Sequence, residues 1–140
     1  LESHSIREGD VVVLRGMGPK GGPGTVFAAS FMAALVGAGL GAGVAVVTDG
    51  ELSGLNSGIT IGQIMPEAAE GGPLALVEEG DGISINLNDR VLDLQVADDV
   101  LERRRVAWQP PDHSGVRGWL GQYASLVQPL SKGAVLRPRQ

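Results

Sequence analysis

The apolar and polar positions of this chain fall into blocks whose period changes along its length. "DVVVLRG", Asp10 to Gly16, is a β-branched run with polar punctuation at both ends, and it predicts a buried strand. "GMGPKGGPG" follows; five glycines and two prolines in nine residues leave only a loop. From Thr25 to about Leu40 the chain is Ala-rich and nearly all apolar, which predicts a helix buried on most sides. Thr25 is placed to be its N-cap, and Gly39 to Gly43 ends it. "VAVVTDG", Val44 to Gly50, is a second buried strand. Strand, helix, strand in that order predicts a crossover between parallel strands.

The later pattern is looser. "TDGELSGLNSG", Thr48 to Gly58, is a glycine-rich loop around two serines, Ser53 and Ser57. "ITIGQIM" reads as a short strand or irregular apolar segment, "PEAAEGGP" as a turn or single helical turn, and "LALVEEGD" as a strand entering a turn. "GISINLNDRVLDLQV" predicts a hairpin. Ile83, Ile85 and Leu87 alternate with polar residues, Asn88–Asp89 supplies the turn, and Leu92, Leu94 and Val96 alternate on the return. "ADDVLERRRVAW" predicts a helix with acids in its first turn and arginines near its end, as the macrodipole favours. "QPPDHSG" is a linker, and "VRGWLGQYASLVQPL" a short helix carrying Trp119, Tyr123 and Leu126 on one face. "SKGAVLRPRQ" is a tail expected to need a partner for order. The mixture is α/β, strands in a sheet or partial barrel with helices outside.

Composition narrows the function classes. A length of 140 residues fits one domain, 1–140, with one real core. Aromatics make up only 4%, so that core is built from Val, Leu, Ile and Ala. A net charge of −5 argues against a nucleic-acid surface, and Arg103 to Arg105 reads as a solvated helix face or helix end. With no cysteine, the chain has no disulfide scaffold and no thiolate-held zinc or iron–sulfur site of its own. A cytoplasmic setting fits. The longest apolar stretch, Val26 to Val36, falls short of the ~20 residues a membrane span takes. The chain opens "LESHSIREGD" with neither Met nor a visible secretory signal, as expected of a piece of something longer.

Two segments invite a chemical reading. "GMGPKG", Gly16 to Gly21, has the G-x-G-x-x-G spacing between a strand and a helix that dinucleotide sites use. Pro19 and Pro23 remove amide donors, no acid stands ~20 positions on, and Asp49 comes too late for the ribose role. A bare turn is the plainer reading, with Lys20 free to contact an anion. The serine loop fails the nucleophile-elbow pattern, because "GELSG" sets serine one place late. His4 and His113 stand far off in sequence, so a Ser–His–Asp triad is not expected. Read alone, Ser53 and Ser57 are turn residues. A serine oxygen serves as a base only where something stabilises its alkoxide. Glu67, Glu70, Glu78, Glu79 and Asp81 form an acidic run, read as a solvated rim in preference to a divalent-ion site.

Taken in order, "GDVVVLRGMGPKGGPG", "GAGLGAGVAVVTDGELSG", "PEAAEGGPLALVEEGDGISINLNDRVLDLQV" and "SKGAV" resemble the C-terminal domain of the dihydroxy-acid and 6-phosphogluconate dehydratases, sugar-acid dehydratases included. The resemblance runs from about Gly9 to Val135. It implies a swivelling β/β/α domain and a hydro-lyase that turns a 2,3-dihydroxy acid into a 2-keto acid. It implies an iron–sulfur cluster and magnesium, both held mainly by an N-terminal domain outside this chain, and none in this chain alone. Ser53 matches the position of the alkoxide base, and Gly54, Asn56 and Ser57 fall beside the substrate. The implied partners are the protein's own N-terminal domain, the small hydroxy acid and further copies of the chain, with 109–140 as linker and tail packing on this domain or the missing one. Two positions depart from the family pattern. Val26 and Phe27 stand where a glutamate ligand to magnesium is usual, and Glu51 stands where arginine is usual. These departures leave open a degenerate member that keeps the fold and binds or assembles without dehydratase activity. An independent nucleotide-binding module is the third reading.

Overall fold

The computed structural model describes residues 5–22, 28–52 and 58–137. The two valine-rich runs pair as their pattern predicts. β1 (Val11–Leu14) and β2 (Ala45–Thr48) lie parallel, with Val11 opposite Ala45 and Leu14 opposite Thr48. β3 (Thr60–Ile61) adds in parallel to the other side of β2, giving the order β1-β2-β3. β2 is therefore the central strand, and Val46 and Val47 are buried there on opposite faces of the sheet.

One face of this sheet is covered by the crossover helix α1 (Ala29–Gly37). Val46 packs there with Ala28, Met32, Leu35 and Val44. The helix differs from the expectation in two ways. It runs from Ala29 to Gly37 rather than to about Leu40, because Gly39 turns left-handed at φ 77° and the Leu40 N–H closes back on the Leu35 carbonyl at 2.9 Å. It is also buried on one stripe only: Met32 and Leu35 are inside, whereas Ala29, Ala33, Ala34 and Val36 are exposed. The expected cap, Thr25, lies outside the described residues.

The other face carries Val47 with Ala68 and Leu74. These come from two 3-10 turns, Ala68–Glu70 and Pro73–Leu76. The expected strand through "LALVEEGD" is replaced by the second turn. Pro73 opens it, and the carbonyls it leaves unpaired are taken by arginine: Arg15 Nη1 donates to Leu74 O, Ala75 O and Val77 O, and Arg104 Nη1 to Leu76 O.

β4 (Gly82–Asn86) and β5 (Val91–Gln95) form the predicted antiparallel hairpin, with Ile83 opposite Leu94 and Ile85 opposite Leu92. α2 (Asp98–Ala107) has Asp98 and Asp99 in its first turn and Arg104 and Arg105 in its last. Arg104 reaches from it to Asp81 and Glu78. α3 (Gly118–Leu126) follows the linker. As far as residue 137 the tail makes backbone bonds to its own chain: Gln128 donates to Val135 O, Arg137 to Leu126 O, and Val127 bridges Leu136. The architecture is mixed α/β with one parallel and one antiparallel sheet, and the described strands close no barrel.

Candidate functional site

The loops after β1 and β2 leave the same edge of the parallel sheet, the carboxyl ends of the strands, where open α/β sheets bind ligands. Ser53, Gly54, Asn56 and Ser57 lie outside the described residues, as do Val26 and Phe27. What the structure describes is the mount from which both segments spring.

Asp49 is the centre of that mount. It follows β2 directly and is fully buried. Its Oδ2 accepts the N–H of Gly16 at 3.0 Å and of Ala68 at 2.9 Å, and its Oδ1 accepts the N–H of Met17 at 2.9 Å. One carboxylate thus joins the loop after β1, the end of β2 and the turn at Ala68. The neighbouring backbone is fixed too. Thr48 Oγ1 accepts the Gly50 N–H at 2.9 Å, Gln63 N–H donates to Gly50 O, and Ile64 N–H donates to Thr48 O. Glu51, half-buried, stands beyond these anchors at the root of the serine loop.

Glu67 is a second fully buried carboxylate. Its Oε2 accepts the N–H of Lys20 at 2.9 Å and of Gly21 at 3.2 Å. Its Oε1 is buried and has no partner among the described residues. Burial pushes the Glu67 carboxyl above its ordinary value, the two N–H groups pull the other way, and the charges of Glu70 and Asp49 add to the rise. Gly18 lies flat against this group: a Cβ there would collide with Glu67 Oε2 and stand 2.9 Å from Asp49 O. The Tyr123 hydroxyl is also pushed up, first by burial and then by the charge of Glu67.

These contacts revise several expectations. The amides of Gly16, Met17, Lys20 and Gly21 are engaged by carboxylates, so the "GMGPKG" loop does not present them to a pyrophosphate. The acidic run is not a uniform solvated rim. Glu67 is buried, Glu70 pairs with Lys20 Nζ at 2.8 Å, and Asp81 with Arg104 at 2.6 Å. Lys20 sits at the loop edge with its ammonium on Glu70, leaving further N–H donors for an anion. Among the described residues no group of three or more His, Asp or Glu side chains is arranged to hold a metal ion, so they do not by themselves fit a magnesium centre. The whole chain has no cysteine for a cluster.

Asp49 and Glu67 are the residues that pattern reading missed. The pattern offers Asp49 only as a ribose ligand that comes too late, and Glu67 as part of a solvated rim in preference to a divalent-ion site. A signal existed in each case: a lone acid closing a valine strand, and an acid set between a proline and two alanines, both places where a charge has no solvated face.

The family model described as dihydroxy-acid/6-phosphogluconate dehydratase C-terminal matches residues 1–134. Over 130 residues, 93% of this chain, the sequence is 52% identical to a dihydroxy-acid dehydratase of Nitrosomonas eutropha. The match covers 23% of that protein, so the chain spans less than a quarter of the relative's length.

Proposed function

This chain belongs to the dihydroxy-acid/6-phosphogluconate dehydratase C-terminal family, and we propose that it is the part of a hydro-lyase that supplies the proton acceptor for dehydration of a 2,3-dihydroxy acid. The reaction breaks C2–H and C3–O. The C2 proton goes to the base, the 3-hydroxyl departs as hydroxide and is released as water once the base returns that proton to it, and the resulting enol becomes the 2-keto acid. Ser53 is the base, acting as alkoxide. Gly54 lets the backbone approach the substrate closely, and Asn56 and Ser57 hydrogen-bond its hydroxyls. Lys20, on the loop after β1, has N–H groups to offer the carboxylate beyond the one on Glu70.

The iron–sulfur cluster and magnesium that the resemblance implies would supply positive charge, and they belong to the part of the enzyme outside this chain. The N-terminal domain is accordingly the partner without which these residues do no chemistry, and 1–140 is the C-terminal domain of a longer chain that assembles with further copies of itself. The substrate is a branched-chain precursor or a sugar acid, and the setting cytoplasmic.

What carries the proposal is the family match across residues 1–134, which includes the serine loop. The shared mount of the two loops at the sheet's carboxyl edge agrees with it. In the full-length protein with an intact cluster, Ser53→Ala should abolish keto-acid formation with folding unchanged, and surviving turnover would remove the serine from the reaction. The apolar Val26 and Phe27 favour a second reading, a binding or assembly domain without activity. Failure of the unmutated, cluster-loaded protein to turn over any of a panel of branched-chain and sugar-derived dihydroxy acids would establish it.

A further inference from the structure

We propose that the outer edge of β1 receives an extended, basic segment of the polypeptide that precedes this domain, which adds to the sheet there as a further strand. The inference rests on the reading of 1–140 as the C-terminal part of a longer chain, and goes beyond it by naming the surface. In the order β1-β2-β3, β1 has a neighbour on one side only. The Ala45 N–H donates to Asp10 O at 3.0 Å, and the parallel register carries this alternation along the strand. Val12 and Leu14 therefore turn their amides to β2, while Val11 and Val13 turn theirs outward. No described residue is bonded to those outward N–H and C=O groups. Bare edges of this kind are usually blunted by a charge, a proline or a bulge. Val11–Leu14 has none of these: it reads VVVL and pairs with β2 without a break in register.

The edge opens into a groove of about 670 Å3, which Val11, Val12 and Val13 line together with the turn from Val77 to Gly82 and Gln95 of β5. Charge selects the occupant. Asp10, Glu78, Glu79 and Asp81 line the groove, and Arg15 is the single base that does. Glu78 and Asp81 share one guanidinium, that of Arg104. Asp10 and Glu79 have no cationic partner among the described residues. Acid is in excess, and lysine or arginine on an incoming strand complements it. A second copy of this chain fits badly, because it brings its own Asp10 to the edge and a net charge of −5. The preceding region is close by. The match covers 23% of the Nitrosomonas relative, the matching family model is that of a C-terminal region, and Ser5 and Ile6, the first described residues, line the same groove. A strand tethered there meets the edge at high effective concentration, and its backbone pairs as in other cases of strand addition.

Amide hydrogen exchange at single-residue resolution in the full-length protein reads the edge directly. With a strand added, Val11 and Val13 should exchange within about tenfold of Val12 and Leu14, since all four are then bonded. A bare edge would leave Val11 and Val13 on the order of 100-fold faster, and that result overturns the proposal. Glu79→Lys, at an exposed position, should speed exchange at Val11 and Val13 by about three- to tenfold with Val12 and Leu14 unchanged. Unaltered exchange in that variant would refute a basic occupant.

The source is read by Gln95→p-benzoylphenylalanine, which sets a photoreactive group in the groove. A cross-link to residues that precede this domain in the same polypeptide supports the proposal. A cross-link to another copy, resolved by mixing isotope-labelled with unlabelled protein, or none outside 1–140, overturns it. None of these readouts uses turnover. A full-length protein that dehydrates normally with a fast-exchanging edge would remove the added strand and leave the dehydratase reading in place, and a protected edge in a protein without turnover would do the reverse.

Discussion

The region around β1, β2 and α1 is richer in apolar residues than the region from β4 to α3 and buries them more completely. In the first, Leu35, Val46 and Val47 are essentially inaccessible, and two acids and a threonine are buried with them. In the second, neither α2 nor α3 buries a residue, and Leu87, Val91, Val106, Trp119 and Leu120 are exposed. Amino-acid content accounts for part of this, since α1 is nearly all apolar and α2 mostly charged, and topology for the rest. A parallel strand with both faces covered forces its neighbours inside, whereas a two-stranded hairpin and single helices have one face to cover and here only partly cover it. The polar groups follow the same division. The first region holds backbone turns with buried carboxylates, and the second holds itself with surface pairs such as Arg103–Asp99, each contributing little.

The division is broken most forcefully by cavity formation. Leu35→Ala should destabilise the chain by about 2–5 kcal/mol in urea denaturation, because Leu35 is fully buried against β2. Val106→Ala, at a position 76% exposed, should stay within about 0.5 kcal/mol. Equal losses at the two sites would mean that α2 is packed as tightly as α1 and the contrast does not hold.

A smaller effect is expected from adding a methyl group at the loop frame. Gly18→Ala should cost about 1–3 kcal/mol by pressing on the Glu67 carboxylate and the Asp49 carbonyl, neither of which can retreat without giving up N–H partners. Gly37→Ala, where a Cβ meets nothing within 4 Å, is its control in the same region and should be neutral or slightly stabilising in urea.

These contrasts mark what the sequence could and could not convey. The parallel pairing of β1 with β2 was legible because a β-branched run, an apolar helix and a second such run admit few topologies. The hairpin was legible from period-two alternation around Asn88–Asp89. The strand read through Leu74 to Val77 failed because an apolar run fits a strand or a 3-10 turn equally, and the deciding partners, Arg15 and Arg104, lie 59 and 28 residues away. The full burial of α1 failed for a related reason: composition gives hydrophobicity but not how many neighbours arrive to cover it. The Asp49 frame was only half legible: a lone acid closing a valine strand hints at burial, but the backbone amides that converge on it carry no sequence signal. The serine assignment comes from resemblance and stands outside the described residues.

The finest test uses one acid from each region, displaced in opposite directions. Glu67 is held above its ordinary 4.5, first by burial, and Asp81 below its ordinary 3.8, first by the Arg104 hydrogen bond. For Glu67 the folded form holds its proton more tightly than the unfolded chain. The stability this contributes is present in full below about 4.5 and is lost as pH rises through the folded value. For Asp81 the contribution is present above about 3.8 and is lost as pH falls through the lowered folded value. Glu67→Gln, which imitates the neutral acid, should therefore compare worst with the unmutated chain in acid and recover as pH rises. Asp81→Asn should compare worst near neutrality and converge with the unmutated chain in acid. Urea midpoints taken from pH 3 to 8 read both, and the effects should be smaller than those of Leu35→Ala or Gly18→Ala. Parallel slopes would mean that one electrostatic setting governs both regions. Opposite slopes would trace the division to its cause, since a carboxylate withdrawn from water among amides and one clasped by a guanidinium at the surface respond to protons in opposite senses.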